Sequence, residues 1–454
     1  MNKSDQIEMI LNESAWNVVY KLSWPSIIGL LMVGLNSFVD AVFIGRLLGA
    51  DALIGASMAL PLTQIQFGIG LMIGSGVASI LSVAIGAADS KTQQNIWGTM
   101  IWLILILSGI TMLITINFSS TLLSLIGASG RNLTEAKTFY NFYSSGTFII
   151  VFAIAGNMLI RGEGKLKESM IFSAISFLIN IILNPIFIKT FQMGISGSAL
   201  ATIIANIFLG ATTIYYYSTN KSAIITNLRN FKLDLQIMKD IIKTGFSGFA
   251  MSVISVFQGM VIYFYIGKYG SGRDLLVYGV TSRVATFSSM PAIGLMRAMQ
   301  PAIGINFGAK RFERLQSLFI KFSIAGMVIL GGLAIAVFFL RDYVFSFTTQ
   351  NFKLKQEEIM NYGILILPVV TIAMFYMGTG FFQAIRLGNT ATMIVLLRQI
   401  FLFLPVLVIL SYYYGLTGVF AALSLTETII SLLCAFLSYM KLQAILKKSN
   451  LIEQ

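Results

Sequence analysis

The sequence predicts an all-α protein that crosses a membrane twelve times, built as two six-helix lobes related by an internal repeat. Three observations carry this reading. Of the 454 residues, 56% are hydrophobic and only 11% charged, with a mean hydropathy of +0.83, whereas a soluble chain carries about 25% charged residues. Apolar stretches of the roughly 20 residues that a hydrocarbon core requires recur from end to end. The pattern of the first half returns in the second.

Read in order, the spans are 23–44, 52–86, 97–118, 141–161, 170–188, 196–217, 245–267, 275–308, 318–340, 362–385, 393–413 and 418–440. Residues 1–22 carry Asp5, Glu8 and Glu13 and show no small-residue cleavage site behind a short apolar core, so they read as a cytoplasmic segment, not a leader. The first six spans make an N-lobe, 23–217. The polar stretch 218–244 reads as a linker, the last six spans as a C-lobe, 245–440, and 441–454 as a cytoplasmic tail. The second and eighth spans are too long for one straight crossing. They contain Pro61, and Pro291 and Pro301, which predicts kinked helices reaching past the bilayer. The repeat shows in paired strings. Gly70-Leu-Met72 precedes Gly86-Ala87, and Gly294-Leu-Met296 precedes Gly308-Ala309; Pro185 precedes Gly194-Ile-Ser-Gly197, and Pro405 precedes Gly415-Leu-Thr-Gly418. Internal repeats are common in secondary transporters, with the substrate site between them.

Lys and Arg number 31 against 18 Asp and Glu, for a net charge of +13. The basic residues are scattered between spans, which argues against a nucleic-acid partner. Lys3, Lys21, Lys91, Arg161, Lys165, Lys167, Lys221, Arg229, Lys310, Arg311 and Arg314 fall on the side of the two termini. Because cytoplasmic loops carry the excess of basic residues, both termini are expected in the cytoplasm. The chain has no histidine, which removes the commonest proton shuttle and metal ligand. Its single cysteine, Cys434, can form no internal disulfide.

Two carboxylates lie deep inside predicted spans, Asp40 and Glu427. An Asp at the centre of a membrane helix costs roughly 2.5–3.5 kcal/mol on insertion scales, so an intramembrane charge is a candidate functional site. Asp40 falls about 25 Å along the first span. Asn180 and Asn184 fall about 15–21 Å along the fifth, and Thr202 about 9 Å down the sixth, which runs the other way. Asn180 and Asn184 are four apart and share a helix face. All four sit at compatible depths in one lobe. One carboxylate, two amides and a hydroxyl suit a monovalent cation such as Na⁺, and equally a hydrogen-bond network around a protonated Asp40.

The strings that carry these residues resemble the multidrug and toxic compound extrusion (MATE) transporters over nearly the whole chain. They are Asn36-x-x-x-Asp40 with Ile44-Gly45; Gly68-Ile-Gly-Leu-Met-Ile-Gly74 through Gly86-Ala-Ala-Asp89; Leu159-Ile-Arg-Gly-Glu-Gly164; Asn180-Ile-Ile-Leu-Asn-Pro185; and Gly194-Ile-Ser-Gly-Ser-Ala-Leu-Ala-Thr202. The resemblance implies a V-shaped central cavity between two lobes and alternating access driven by H⁺ or Na⁺. It implies export of amphipathic, often cationic small molecules from the cytoplasmic membrane of a bacterium. It also implies a cation site at Asp40, Asn180, Asn184 and Thr202. The sequence departs from the family at Asn184, where Asp is usual. The lost charge weakens a Na⁺ site and tilts the expectation toward protons.

Glu427 is expected either to hold a cationic substrate or to pair with Arg283, Arg297 or Arg398. Asn36, Asn157, Gln258, Met32, Met260, Phe257 and Arg283 are further candidates for substrate contact, since Met and aromatic side chains suit promiscuous pockets. Arg161–Lys167 reads as a cytoplasmic turn. No Gly-Lys-Ser/Thr phosphate loop is visible, which argues against ATP-driven transport. With no histidine and one apolar cysteine, a membrane-embedded enzyme is disfavoured. The competing reading is a flippase for a lipid-linked saccharide, which the arginines keep open. A monomer in a lipid bilayer, with no cofactor beyond the coupling ion, is expected.

Overall fold

The computed structural model describes residues 5–219, 222, 230–348 and 354–453; Lys3, Lys221 and Arg229 lie outside the described residues. Helix α1 (Asp5–Asn12) leads into the long α2 (Ala15–Leu48), α3 (Ala50–Gly86) and α4 (Ser90–Leu125). Then come α5 (Gly130–Ser145), α6 (Thr147–Gly162), α7 (Leu166–Pro185) with a π-helical turn at Ile186–Thr190, and α8 (Ile195–Ser218). The second half holds α9 (Leu235–Tyr269), α10 (Gly272–Gly308), α11 (Phe312–Phe339), the short α12 (Arg341–Thr348), α13 (Gln356–Ile366) and α14 (Ile372–Ala384). It ends with α15 (Gly388–Leu396), a second π turn at Leu397–Phe401, and α16 (Phe403–Glu453). Among the described residues nine helical stretches are long and apolar enough to cross a membrane, or ten if α5 and α6 count as one. The more polar α10 and the division of α16 at Gly415 (φ 56°, ψ −131°) complete the twelve.

Two sequence expectations need correction. The fourth span is not one straight helix, because α5 and α6 meet at a 58° bend. Gly146 lies at that bend, packed so closely on α8 that a Cβ there would meet Ile203 Cγ1 at 2.5 Å. The linker is shorter than 218–244. Helix α9 starts at Leu235, where the Asp234 side chain accepts hydrogen bonds from the Gln236 and Ile237 amides as an N-cap. The second and eighth spans are each one long helix of 37 residues with the prolines inside.

The lobes meet along the halves of α2, α3, α9 and α10 nearest the termini. A Cβ on Gly86 would lie 1.9 Å from the Ile305 carbonyl and 2.9 Å from the Ala309 amide; one on Gly308 would lie 2.1 Å from the Val83 carbonyl and 2.8 Å from the Ala87 amide. This contact is reciprocal, as at a two-fold interface, and it places the repeat strings Gly86-Ala87 and Gly308-Ala309 back to back. Nearby, Ser79 donates to the Gln383 carbonyl (2.5 Å), and Gln383 Nε2 donates to Ser247 Oγ (2.7 Å). The repeat also governs the turns at the opposite end. Gly194 (φ 59°, ψ −141°) and Gly415 (φ 56°, ψ −131°) both hold left-handed conformations that favour glycine.

At that opposite end Arg273 clamps the start of α10 to α13. Its Nε and Nη2 donate to Glu358 at 2.5 and 3.0 Å, and the Lys355 amide donates to the same carboxylate at 2.7 Å.

Two outcomes are expected. Alanine at Gly86 or Gly308 forces the lobes apart at the terminal end. Spin labels at Lys91 and Lys310 in a Cys434→Ser background should then show a longer-distance population in either variant, and unchanged distances would refute the close-packed interface. The second concerns acid. Arg273 holds the Glu358 carboxyl below its ordinary value of 4.5. With the folded value depressed, the clamp contributes fully above that ordinary value and is lost as pH falls through the folded one. Thermal stability in detergent should therefore decline more steeply below about pH 4.5 in the wild type than in Glu358→Gln.

Candidate ion-coupling site

Asp40 lies on α2, half-buried against α7. The Nδ2 of Asn184 donates to Asp40 Oδ1 at 2.7 Å, and that of Asn36, one turn earlier on α2, donates to Oδ2 at 3.3 Å. The Asn184 amide also reaches the side-chain oxygen and the backbone carbonyl of Asn180, both at 3.1 Å. Asn180 Nδ2 donates to Thr202 Oγ1 on α8 (3.3 Å), and Thr202 donates on to the Ser198 carbonyl (3.2 Å). The four residues predicted to share a depth thus form one hydrogen-bonded chain across α2, α7 and α8. Pro185, which has no N–H to give, follows Asn184 directly, and the π turn begins after it; π turns are frequent at functional sites. The carbonyl oxygens of Asn36 and Asn184 are buried without a partner. Asn36, singled out for substrate contact, belongs to the carboxylate's own shell. Tyr143 of α5 lies within electrostatic reach of Asp40.

Glu427 is an ion-pair partner. Arg398 Nε donates to both of its oxygens at 2.9 Å, and Nη2 lies 2.8 Å from Oε1. Both side chains are largely buried, and the guanidinium sits 4.4 Å from the centre of the Phe375 ring. The neutralised carboxylate is not a free anchor for a cation. Arg283 is exposed on α10 and forms no ion pair among the described residues.

Asn157 also departs from expectation. It is 5% exposed and holds the first turn of α7, donating to the Ser169 carbonyl (3.1 Å) and accepting from Ser169 Oγ (2.8 Å). Its hydrogen-bonding capacity is spent inside the lobe, not on a cavity wall. The turn predicted at Arg161–Lys167 is present but buried, with Arg161 at 5%, Glu163 at 0% and Lys165 at 4% exposure. Glu163 accepts from Tyr216 (2.9 Å) and Ser222 (2.8 Å). Met32 and Gln258 are half-buried, and Phe257 and Met260 are exposed, on α2 and α9, the first long helices of the two lobes.

The MatE family profile matches residues 25–186 and 248–412. The multidrug export protein MepA of Staphylococcus aureus (strain MSSA476) is 27% identical over 444 residues, 96% of each chain. MepA of Staphylococcus haemolyticus (strain JCSC1435) is 27% identical over 460 residues, 99% of each. Solved MATE structures in bent and straight conformations each align with a TM-score of 0.91 at 21% identity, over 98% of this chain and 99% of theirs. A multidrug-resistance MATE transporter of the MOP superfamily in an outward-facing conformation aligns with a TM-score of 0.88 at 22% identity, over 97% of this chain and 98% of that one.

Breaking the Glu427 pair leaves a buried guanidinium uncompensated, which costs about 3–5 kcal/mol. Glu427→Gln should therefore lower the midpoint of thermal unfolding in micelles, and adding Arg398→Gln should recover part of the loss. If Glu427→Gln unfolds like the wild type, the pair has no structural weight.

Proposed function

The chain belongs to the multidrug and toxic compound extrusion family, and on that footing we propose that it exports amphipathic, often cationic molecules in exchange for protons, with Asp40 as the coupling carboxylate. The N-lobe, 23–217, and the C-lobe, which begins with α9 at Leu235 and runs to 440, are the units that rock. The terminal end faces the cytoplasm of a bacterial cell, and the cavity is V-shaped.

The observation that carries the proposal is the bonding of Asp40. As a carboxylate it accepts from amide N–H groups on α7 and on its own helix. Once protonated it becomes a donor on one oxygen, and an acceptor must replace an N–H. Asn184 and Asn36 each hold a buried carbonyl oxygen with no partner, so turning either amide supplies that acceptor. Proton arrival thus rewrites the bond that joins α2 to α7. A hard cation takes oxygen ligands, and the same turned amides would supply them, so the choice between H⁺ and Na⁺ rests on charge. With Asn in place of a second carboxylate at 184, the group has little charge to offset that of Na⁺. The paired Glu427 leaves Asp40 as the intramembrane carboxylate open to a cationic substrate, which supports competition between substrate and proton at one group.

Transport into proteoliposomes with ΔpH and ΔNa⁺ imposed separately tests the reading. ΔpH alone should drive the wild type. Asp40→Asn should lose at least about tenfold of that rate, in keeping with a charge-assisted hydrogen bond of about 1.5–3 kcal/mol. Transport driven by ΔNa⁺ at equal pH, or an Asp40→Asn variant as active as the wild type, would overturn it.

A further inference from the structure

The coupling group does not account for a second polar feature, where α2, α6, α7 and α10 converge near the terminal end. Arg161, in the last turn of α6, is 5% exposed. Its Nε donates to Ser169 Oγ at 2.7 Å, while its Nη1 is buried with no partner. Arg297 lies half-buried on α10, which packs against α6. Neither takes part in an ion pair among the described residues. The nearest acids in sequence have other partners: Glu163 accepts from Tyr216 and Ser222, and Glu168 lies 3.7 Å from Lys165.

Arginine does not shed its charge in a protein, and a buried charge without a counter-ion is strongly destabilising. Arg161 is such a charge, and the half-buried Arg297 adds a second positive charge from the facing helix, with like charges repelling. The surroundings add unused polar atoms, since the hydroxyls of Ser23 and Ser26 on α2 are buried without partners. Ser26 precedes Ile27, which packs directly on Gly294, one turn before Arg297. The missing element is an anion, and the fork of a guanidinium matches an oxoanion.

We propose that Arg161 and Arg297 form a binding site for the phosphate or carboxylate head of an anionic amphiphile, opened when the lobes part at the terminal end. The two arginines come from different lobes, α6 from the first and α10 from the second. An anion between them offsets both charges and draws the lobes together at that end. The inference does not depend on the coupling ion, and equilibrium binding with no gradient tests it separately from transport.

The probe is dodecyl phosphate, titrated against the full-length protein in phosphatidylcholine nanodiscs, with dodecyltrimethylammonium as the cationic control. Arg161→Gln and Arg297→Gln should each weaken dodecyl phosphate binding about tenfold or more, the loss of a bond to a charged group. Arg297→Lys should retain most of the affinity, and the control should bind all variants alike. The Arg297 side chain makes no hydrogen bond among the described residues, so Arg297→Gln carries the test if Arg161→Gln fails to fold. Competition in the wild type identifies the source of the anion. Displacement by inorganic phosphate marks a free-anion site, and displacement only by phosphatidylglycerol in the disc marks a lipid head group. Displacement by neither marks a site that needs the single-chain amphiphile. Wild-type affinity for dodecyl phosphate in Arg297→Gln would overturn the proposal.

Discussion

A carboxylate inside a membrane protein has to be satisfied wherever it sits, and the bond from Asn184 to Asp40 is how this chain meets that demand. It joins α2 to α7 and passes through Asn180 to Thr202 on α8. Four side chains on three helices are therefore set by the charge of one group. A lone buried Asp would be only a cost. Wired to two amides that can offer either nitrogen or oxygen, it is the group on which the proposed proton coupling acts.

That local choice matters because the lobes are joined at one end by very close packing. Gly86 and Gly308 bring backbones together without side chains between them, in a reciprocal contact. Close-packed interfaces of this kind have discrete fitted arrangements and deform little between them. Under the proposed coupling, a change at Asp40 acts on which arrangement is occupied. Arg161 and Arg297 lie on facing lobes near the same end, so an anion there would act on the same equilibrium. The Arg398–Glu427 pair serves the opposite purpose, since it neutralises two charges within the second lobe.

The twelve spans and the membership of the Asp40 group were legible because helical rise and periodicity convert sequence number into depth and face. The same arithmetic could not give rotation. Glu427 had three candidate arginines in the sequence, and the structure pairs it with Arg398, which also stacks on Phe375. Asn157 read as a substrate contact because its partner, Ser169, comes from the next helix across a turn whose burial leaves no local mark. Arg161 looked like an ordinary basic residue of a loop for the same reason. The start of α9 could have been found: Asp234 before Leu235-Gln-Ile is a capping signal, outweighed by the polarity of the stretch. The bend at Gly146 depends on Ile203 from another helix and leaves no such trace.

The central claim is that substrate and proton compete through Asp40. It is tested most directly by counting protons in weakly buffered solution as a cationic amphiphile binds the detergent-solubilised protein. The wild type should release protons on binding, to an extent that falls as the pH is raised, and Asp40→Asn should release none. Equal release by the two proteins, or no release by the wild type at any pH at which it binds, would contradict the account.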